Sequence, residues 1–221
     1  MTMTADEVFC LTLERNGTML VRRNGVVSWS GNCFREYVAQ LVEYNKKFVI
    51  IGNMNAITYK EIWPLIQSGR LWLGVTRVGV GQMYFQISDD HPVATGQIVK
   101  DGVRMQTVGN TAWFTNLDHA RRHEELPLGK RYTPEEYPRY DNYNAINVNK
   151  VKDIPRDYDG AIGVPITFLG KWNPEQFEIV GISEQNVLGG SNGLWDSGSR
   201  VKHPLILGDR VYSRVFVRRR M

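Results

Sequence analysis

The sequence predicts an α/β fold with an N-terminal β-meander and a large β-rich C-terminal region. Apolar residues between Phe34 and Val42 recur at the spacing of one helical face. The run "KFVIIGN" follows directly, and it is short, apolar and β-branched, as buried strands are. After about Val75, short β-like runs alternate with loops rich in Gly, Pro and Asn. These observations indicate a helix, a buried strand and then many short strands.

The first thirty residues are predicted to form the meander. Strand-like runs cover residues 8–14, 18–23 and 26–30, and the tripeptide "RNG" stands between them twice. Asn-Gly favours the positive φ values of a tight hairpin turn. We therefore expect three short antiparallel strands.

The segment after the meander has the order of a parallel α/β sheet. Ser30 or Asn32 can cap the first helix. The strand "KFVIIGN" is expected to be buried on both faces, and a second helix and the strand "LWLGV" follow it. Ligands of such sheets bind beyond the carboxyl ends of the strands, here around residues 52–57.

The second helix has recognisable start and stop signals. Thr58 and Glu61 have the spacing of a capping box, in which each side chain satisfies a backbone N–H of the first turn. Pro64 must kink or shorten this helix, and Gly69 is expected to end it.

The second half of the chain is predicted to be mostly β-structure. Residues 88–102 are expected to form either a long loop or a hairpin. The candidate strands are residues 83–87, 112–115, 162–168, 178–182 and 210–217.

Composition excludes several classes of protein. The 221 residues, of which 42% are hydrophobic, suffice to bury a core. The sequence contains no run of about 18 apolar residues, the length that a membrane span requires. The N-terminal residues "MTMTADEVFC" lack the pattern of a signal peptide. Cys10 and Cys33 are too few for a disulfide framework. We therefore expect a cytoplasmic protein that does not contact membranes.

The basic residues favour a polyanionic partner only modestly. The chain has 27 Lys and Arg against 23 Asp and Glu, a net charge of +4. The C-terminal run "DRVYSRVFVRRRM" concentrates five of these arginines. A phosphate-contacting edge and a solvated basic tail explain this run equally well.

Four long blocks of the sequence resemble the EcoRI-type adenine-specific DNA methylases. The resemblance covers most of the chain from Phe34 to about Val217 and is weakest across residues 75–111. It implies methyl transfer from S-adenosylmethionine to N6 of adenine in double-stranded DNA, by a Rossmann-like core joined to a target-recognition region. Such enzymes belong to bacterial or phage restriction-modification systems. The blocks are "FREYVAQLVEYNKKFVIIGNMNAITYKEIWPLI", "WFTNLDHARRHEEL", "YTPEEYPRYDNYNAINVNKVKDIPRDYDGAIGVPITFL" and "NPEQFEIVGI".

The sequence departs from the family at two places. Members carry an Asn-Pro-Pro-Phe loop before the "FREY" helix, where this chain reads Ser-Gly-Asn-Cys-Phe at residues 30–34. They also carry an upstream glycine-rich cofactor segment, which we do not find in residues 1–32. We therefore expect residues 1–32 to be unrelated to the family, 33–75 to be a remnant of the methyltransferase core, and 76–221 to resemble a target-recognition region. The expected protein is a truncated or degenerate methyltransferase.

The altered loop is predicted to impair catalysis. The target adenine must leave the duplex, stack on an aromatic ring and donate hydrogen bonds from its amine. The resemblance makes Asn32 the acceptor and Phe34 the ring, but prolines no longer hold them in position. A helix cap for Asn32 and core packing for Phe34 are the alternatives. We assign no residue to S-adenosylmethionine, and we expect its binding to be weak.

The remaining site residues are predicted to contact DNA. Asn53 and Asn55 follow a strand and suit either a ligand contact or a turn. The cations expected to contact phosphates are Lys60, Arg104, Arg121 and Arg122. DNA binding without catalysis is the main alternative to weak methyl transfer. If the expected core remnant leaves a sheet edge open, either the meander covers it or two chains pair there as a homo-oligomer.

A metal-dependent hydrolase is the third possibility. His119 and His123 are four residues apart in "DHARRHEE", and in a helix they would share one face, as zinc ligands do. The family resemblance explains this segment without a metal.

Overall fold

A computed structural model describes residues 19–23, 26–30, 34–75, 83–90, 96–108, 111–183 and 190–220. Within these ranges the fold is mixed α/β, with many strands and two short α-helices, α1 (Phe34–Glu43) and α2 (Trp63–Gln67). The strands are β1 (Met19–Arg23), β2 (Val26–Ser30), β3 (Val49–Asn53), β4 (Trp72–Leu73), β5 (Met83–Gln86), β6 (Gln97–Lys100), β7 (Val103–Val108), β8 (Thr111–Thr115), β9 (Ile146–Asn147), β10 (Ile162–Pro165), β11 (Phe177–Ile182), β12 (Leu205–Ile206), β13 (Asp209–Arg210) and β14 (Arg214–Arg219).

The described part of the meander confirms one predicted hairpin. β1 and β2 pair as antiparallel strands, with Arg23 opposite Val26. Cα atoms of β2 lie within 8 Å of β3. The predicted strand at residues 8–14 lies outside the described residues.

The sheet that follows is antiparallel, so the predicted parallel pairing of its strands is wrong. β8 lies between β3 and β4 and runs antiparallel to both. Burial of β3 on both faces is also wrong, because Ile50 is buried whereas Val49 and Ile51 are about 40% and 39% exposed. A short apolar run does not reveal how many of its faces are covered, and local patterns do not reveal a partner far along the chain.

Helix α1 confirms its prediction. Its inner stripe contains the buried residues Tyr37, Val38 and Leu41, at the spacing of a helical face. Asn45 follows the helix at a φ of 50°, in the left-handed region that commonly ends helices.

Helix α2 is shorter than predicted, and the capping box does not form. The hydroxyl of Thr58 donates to the carbonyl of Asn55 at 2.8 Å and closes a 3₁₀ turn at Met54–Thr58. The helix begins only at Trp63, so Pro64 lies in its first turn, where a missing N–H does little harm. Gly69, at a φ of 66°, ends the helix as predicted.

The C-terminal sheet has the order β11-β14-β10-β9. β14 pairs with β10 on one side and β11 on the other, both antiparallel. β10 ends at Pro165, earlier than predicted, because proline cannot donate to the ladder and a 3₁₀ turn follows. The predicted strand 210–217 is divided between β13, which pairs with β12, and β14. A separate sheet has the order β5-β7-β6, in which β6 and β7 form a hairpin. The first strand and the turn of this hairpin fall in the predicted range 88–102, of which residues 91–95 lie outside the described part.

One hydrophobic core joins the β3-β8-β4 sheet to the β11-β14-β10-β9 sheet. It includes buried residues of α1 and β3, such as Val38 and Ile50, together with Val164 of β10 and Val215 of β14. Moreover, β8 belongs to the sheet of β3 and β4, so that sheet draws strands from both sides of the boundary expected at residues 75 and 76. No described helix has both the length and the apolar character that crossing a membrane requires.

Close backbone packing leaves no room for a side chain at Gly181, a residue of β11 in the C-terminal sheet. A Cβ at Gly181 would lie 2.5 Å from the carbonyl oxygen of Gly190. We predict that Gly181→Ala lowers the free energy of unfolding by about 1–3 kcal/mol, because backbone atoms cannot move aside cheaply. Urea unfolding measures the change. Gly129→Ala is the matched control, since nothing lies within 4 Å of its Cβ, and it should change stability by less than about 0.5 kcal/mol. Equal effects of the two substitutions would contradict this packing.

Candidate nucleic-acid interface

The carboxyl end of β3 is where the sequence predicted a ligand. There the side-chain oxygen of Asn53 accepts a hydrogen bond from the backbone N–H of Asn55 at 2.9 Å. This bond starts the 3₁₀ turn at Met54–Thr58, which is the turn-forming role weighed in the sequence. Asn55 is exposed at the tip of the turn. Asn53 is exposed as well, but its side-chain oxygen already accepts the hydrogen bond that starts the turn.

Phe34 packs into the same end of the sheet. Its ring lies so close to Gly52 that a Cβ there would approach ring atom Cε2 to 2.5 Å. The ring also meets Phe114 edge to face, with 4.9 Å between centroids. These contacts correspond to core packing, the alternative weighed against base stacking. Asn32 lies outside the described residues, so its pairing with Phe34 stays a prediction.

Arg122 is held between aromatic rings. Its guanidinium carbon lies 3.6 Å from the ring centroid of Trp72 and 5.6 Å from that of Trp172. Nη1 is 3.5 Å from Asp118, and only 14% of the side chain is exposed. Burial lowers the pKa of Arg122, and Asp118 partly opposes this shift. The side chain thus connects β4 to the segment after β8, and little of it faces outward.

The other three predicted cations lie at separate places. Arg104 donates to the Asp89 carbonyl and, at 3.2 Å, to Oε1 of Gln97, within the β5-β7-β6 sheet. Arg121 donates to the carbonyl of Val75. Lys60 is the most exposed, with 73% of its side chain accessible and its Nζ 3.6 Å from Glu61. Lys60 is therefore the predicted cation whose charge is most available to a phosphate.

The two histidines do not converge on one point. His119 precedes a 3₁₀ turn at Ala120–His123, and its Nε2 lies 3.1 Å from the carbonyl of Leu73. His123 instead contacts Asp118 through Nε2 at 2.9 Å and Glu175 through Nδ1 at 3.1 Å. The helical face expected for a zinc pair is therefore not formed. Among the residues that the structure describes, no three His, Cys, Asp or Glu side chains cluster as a metal site.

The carboxylates around His123 shift its protonation. The hydrogen bond to Asp118, and then that to Glu175, raise the pKa of His123, because both carboxylates stabilise the imidazolium. The same contact lowers the pKa of Asp118. These three exposed side chains form a surface ion-pair network, for which no catalytic role is needed.

A buried arginine network was not predicted from the sequence. Arg214, the first residue of β14, is only 6% exposed. Its Nε donates to Oδ1 of Asn147 at 3.2 Å, and its Nη2 donates to Oδ1 of Asn149 at 3.0 Å. Nη1 donates to the carbonyl of Tyr212 at 3.1 Å. All of these acceptors are neutral, and in the described part of the chain no carboxylate forms an ion pair with Arg214.

Further hydrogen bonds hold the two asparagine amides in place. Oδ1 of Asn147 also accepts from the hydroxyl of Tyr140 at 2.7 Å. Nδ2 of Asn147 donates to Oδ1 of Asn149 at 3.1 Å. The oxygen of Asn149 thus accepts two hydrogen bonds from the protein interior, which leaves its amino group as an outward donor.

A pocket of about 160 Å³ opens over this network. Asn147 and Asn149 belong to its wall, and the exposed Lys150 and Lys152 lie in or beside the 3₁₀ turn next to it. The segment "NAINVNKVKD" carried a signal for this site, since asparagines alternate with apolar residues immediately before two lysines. The lining residues are Lys130, Glu136, Tyr137, Pro138, Asn147, Val148, Asn149 and Asp153.

Comparison with known proteins relates most of the chain to one family. The model of the family described as adenine-specific methyltransferase EcoRI matches residues 21–220. This match begins inside residues 1–32, which were expected to be unrelated to the family. No solved structure matches the chain.

Curated relatives include three type II methyltransferases. M.EcoRI of Escherichia coli is 49% identical over 162 residues, which are 70% of this chain and 49% of that protein. M.MpnI of Mycoplasma pneumoniae is 38% identical over 153 residues, which are 66% of this chain and 47% of that protein. M.MgeORF184P of Mycoplasma genitalium is 35% identical over 153 residues. The chain therefore spans about half the length of the curated relatives it matches.

The packing of Arg122 predicts that its loss affects stability. We expect Arg122→Ala to lower the free energy of unfolding by about 1–2 kcal/mol, through lost cation–π contact and lost packing. Thermal and urea unfolding measure this, with Lys60→Ala as the exposed control, for which we expect little change. An Arg122→Ala variant as stable as the unchanged protein would show that the contacts with Trp72 and Trp172 contribute nothing.

Proposed function

The chain belongs to the EcoRI family of adenine-specific methyltransferases, and we propose that it binds duplex DNA, the substrate in which such enzymes methylate N6 of adenine. Its own methyl transfer from S-adenosylmethionine is impaired. The observation that carries the first part is the family match over residues 21–220. The second part follows from the altered loop at residues 30–34 and from the packing of Phe34.

The position of Phe34 supports impaired transfer. A ring that stacks on an extruded adenine must present a face to the base. Here the ring of Phe34 fills the space over Gly52 and packs edge to face against Phe114. The loop before it has no proline to hold an acceptor against the adenine amine. The packed ring is not placed to position the adenine, and the loop without proline provides less electrostatic stabilisation of the transition state.

The end of β3 also fits S-adenosylmethionine poorly. A cofactor cradle at a strand end needs open space and backbone donors. The space over Gly52 is occupied by Phe34, and the backbone N–H of Asn55 already donates to the side chain of Asn53. Weak cofactor binding by this chain follows, and no catalytic step is assigned to the residues at this strand end.

Exposed polar and basic residues support contact with DNA. Lys60 and Asn55 lie close together in sequence, beyond the end of β3, and both are exposed. Arg121 donates to a neutral partner, the carbonyl of Val75, so its charge remains available to a phosphate, and Arg104 stays a predicted phosphate contact. Arg122 contributes to this surface by positioning the segment 118–124 rather than by contacting phosphate.

Homo-oligomerisation is a weaker part of the proposal. β3 is an outer strand of its sheet, and its exposed face carries Val49 and Ile51. Apolar side chains on an outer strand favour association with another surface. Pairing of two chains at this edge stays a prediction.

DNA binding and cofactor binding are tested separately. We predict that a fluorescent duplex of about 30 base pairs binds the chain in anisotropy titrations. Its affinity should fall at least about tenfold between 50 and 200 mM salt, as expected when about two or more phosphates are neutralised. Isothermal titration with S-adenosylmethionine should show no tight site. Absence of duplex binding at low salt would overturn the first part of the proposal, and tight cofactor binding would overturn the second.

A further inference from the structure

We propose that the pocket lined by Asn149, Lys130 and Glu136 reads the major-groove edge of a G·C base pair in the bound DNA. Asn149 is the specificity-determining residue, and Arg214 is a positioning residue beneath it. This inference rests on the proposed function, because it names the part of the DNA that one site recognises.

The pocket offers a fixed hydrogen-bond donor. The oxygen of Asn149 is occupied by Arg214 at 3.0 Å and by Asn147 at 3.1 Å. Its amide therefore has one orientation, with the amino group as a donor. Because Arg214 is buried and cationic, it polarises the amide and strengthens that donor. A surface asparagine without such support rotates freely and discriminates poorly between bases.

The mixed charge of the pocket excludes a phosphate as its ligand. Glu136 and Asp153 both line it, and their carboxylates repel an anion. Lys130 also lines the pocket, with its Nζ 3.3 Å from Oε1 of Glu136. The hydrogen bond to Glu136, and more weakly the charge of Asp153, raise the pKa of Lys130. The pocket thus presents donors and acceptors side by side, which is the pattern of a base edge.

A G·C pair matches this pattern in the major groove. Guanine presents two acceptors there, N7 and O6, and cytosine presents the donor N4 amine. Asn149 and Lys130 supply donors for guanine, and Glu136 or Asp153 supplies an acceptor for cytosine. An A·T pair presents its donor and acceptors in a different order, and the thymine methyl group would meet a carboxylate or Lys130.

The surroundings of the pocket suit a groove of DNA. Lys130, Glu136 and Asn149 are exposed, so the mouth is open to solvent. Tyr137 and Val148 are buried and form the rigid floor, and the Tyr137 hydroxyl donates to the carbonyl of Asp153 at 2.8 Å. Exposed cations beside the mouth provide phosphate contacts, which position a protein on the duplex without reading its sequence. They are Arg131, Lys150, Lys152 and Arg156.

The substitution Asn149→Asp isolates the donor. It keeps the oxygen that Arg214 and Asn147 bind, so the fold should be retained, as thermal unfolding will show. It replaces the amino group with an acceptor, which faces the acceptors of guanine. Lys150→Gln is the matched control, because it also lowers the net charge by one at the neighbouring residue and leaves the pocket lining unchanged.

Selection of binding sites from a pool of randomised duplexes measures the effect. We expect the unchanged protein and Lys150→Gln to select the same sequences, with Lys150→Gln binding all of them more weakly. Asn149→Asp should lose its preference for G·C at one position, a loss of about 5- to 100-fold in discrimination. Preferences at the other positions should persist.

The outcomes separate this inference from the proposed function. If Asn149→Asp folds and keeps every preference, or weakens binding uniformly as Lys150→Gln does, the pocket contacts only the backbone or nothing, and the inference is overturned. Loss of preference at an A·T position would overturn the assignment to G·C. If the unchanged protein binds no duplex at all, the proposed function itself has failed.

Discussion

The packing of Phe34 against Gly52 and Phe114 is the contact on which the arrangement of the first sheet depends. It places the start of helix α1 against the end of β3 and near the end of β8. The contact depends on the absence of a side chain at residue 52, since a Cβ there would lie 2.5 Å from ring atom Cε2 of Phe34. The same packing fills the space over Gly52 at the strand end, and it is one of the two observations behind the proposed impairment of methyl transfer.

The basic residues of the chain divide into two groups that a count of charges does not separate. Arg122 and Arg214 are largely buried and order the structure around them, the first by stacking on tryptophans and the second by fixing asparagine amides. Lys60 and Lys150 are exposed and available to phosphates. A buried cation with neutral partners is costly, and it persists where it positions other groups. Arg214 positions two residues of the pocket wall, Asn147 and Asn149.

Elements governed by local rules were predictable from the sequence, and contacts between distant residues were not. The helical period identified α1, and the β-like runs after Val75 identified β5, β8, β10, β11 and β14, whereas β7, β9 and β12 were not predicted. The insertion of β8 beside β3, and the burial of Arg214 under Asn149, depend on pairings far apart in the chain. The family resemblance was visible in long collinear blocks, but a resemblance does not show which arginines are buried. Histidine spacing misled because the segment forms a 3₁₀ turn.

The proposed impairment is measured by methyl transfer from radioactive S-adenosylmethionine, with the purified chain and a duplex that it demonstrably binds. We expect labelling close to the background without protein, because Phe34 occupies the space over Gly52 and the loop before it has no proline. Repeated turnover at an ordinary enzymatic rate, about one per second or faster, would contradict it.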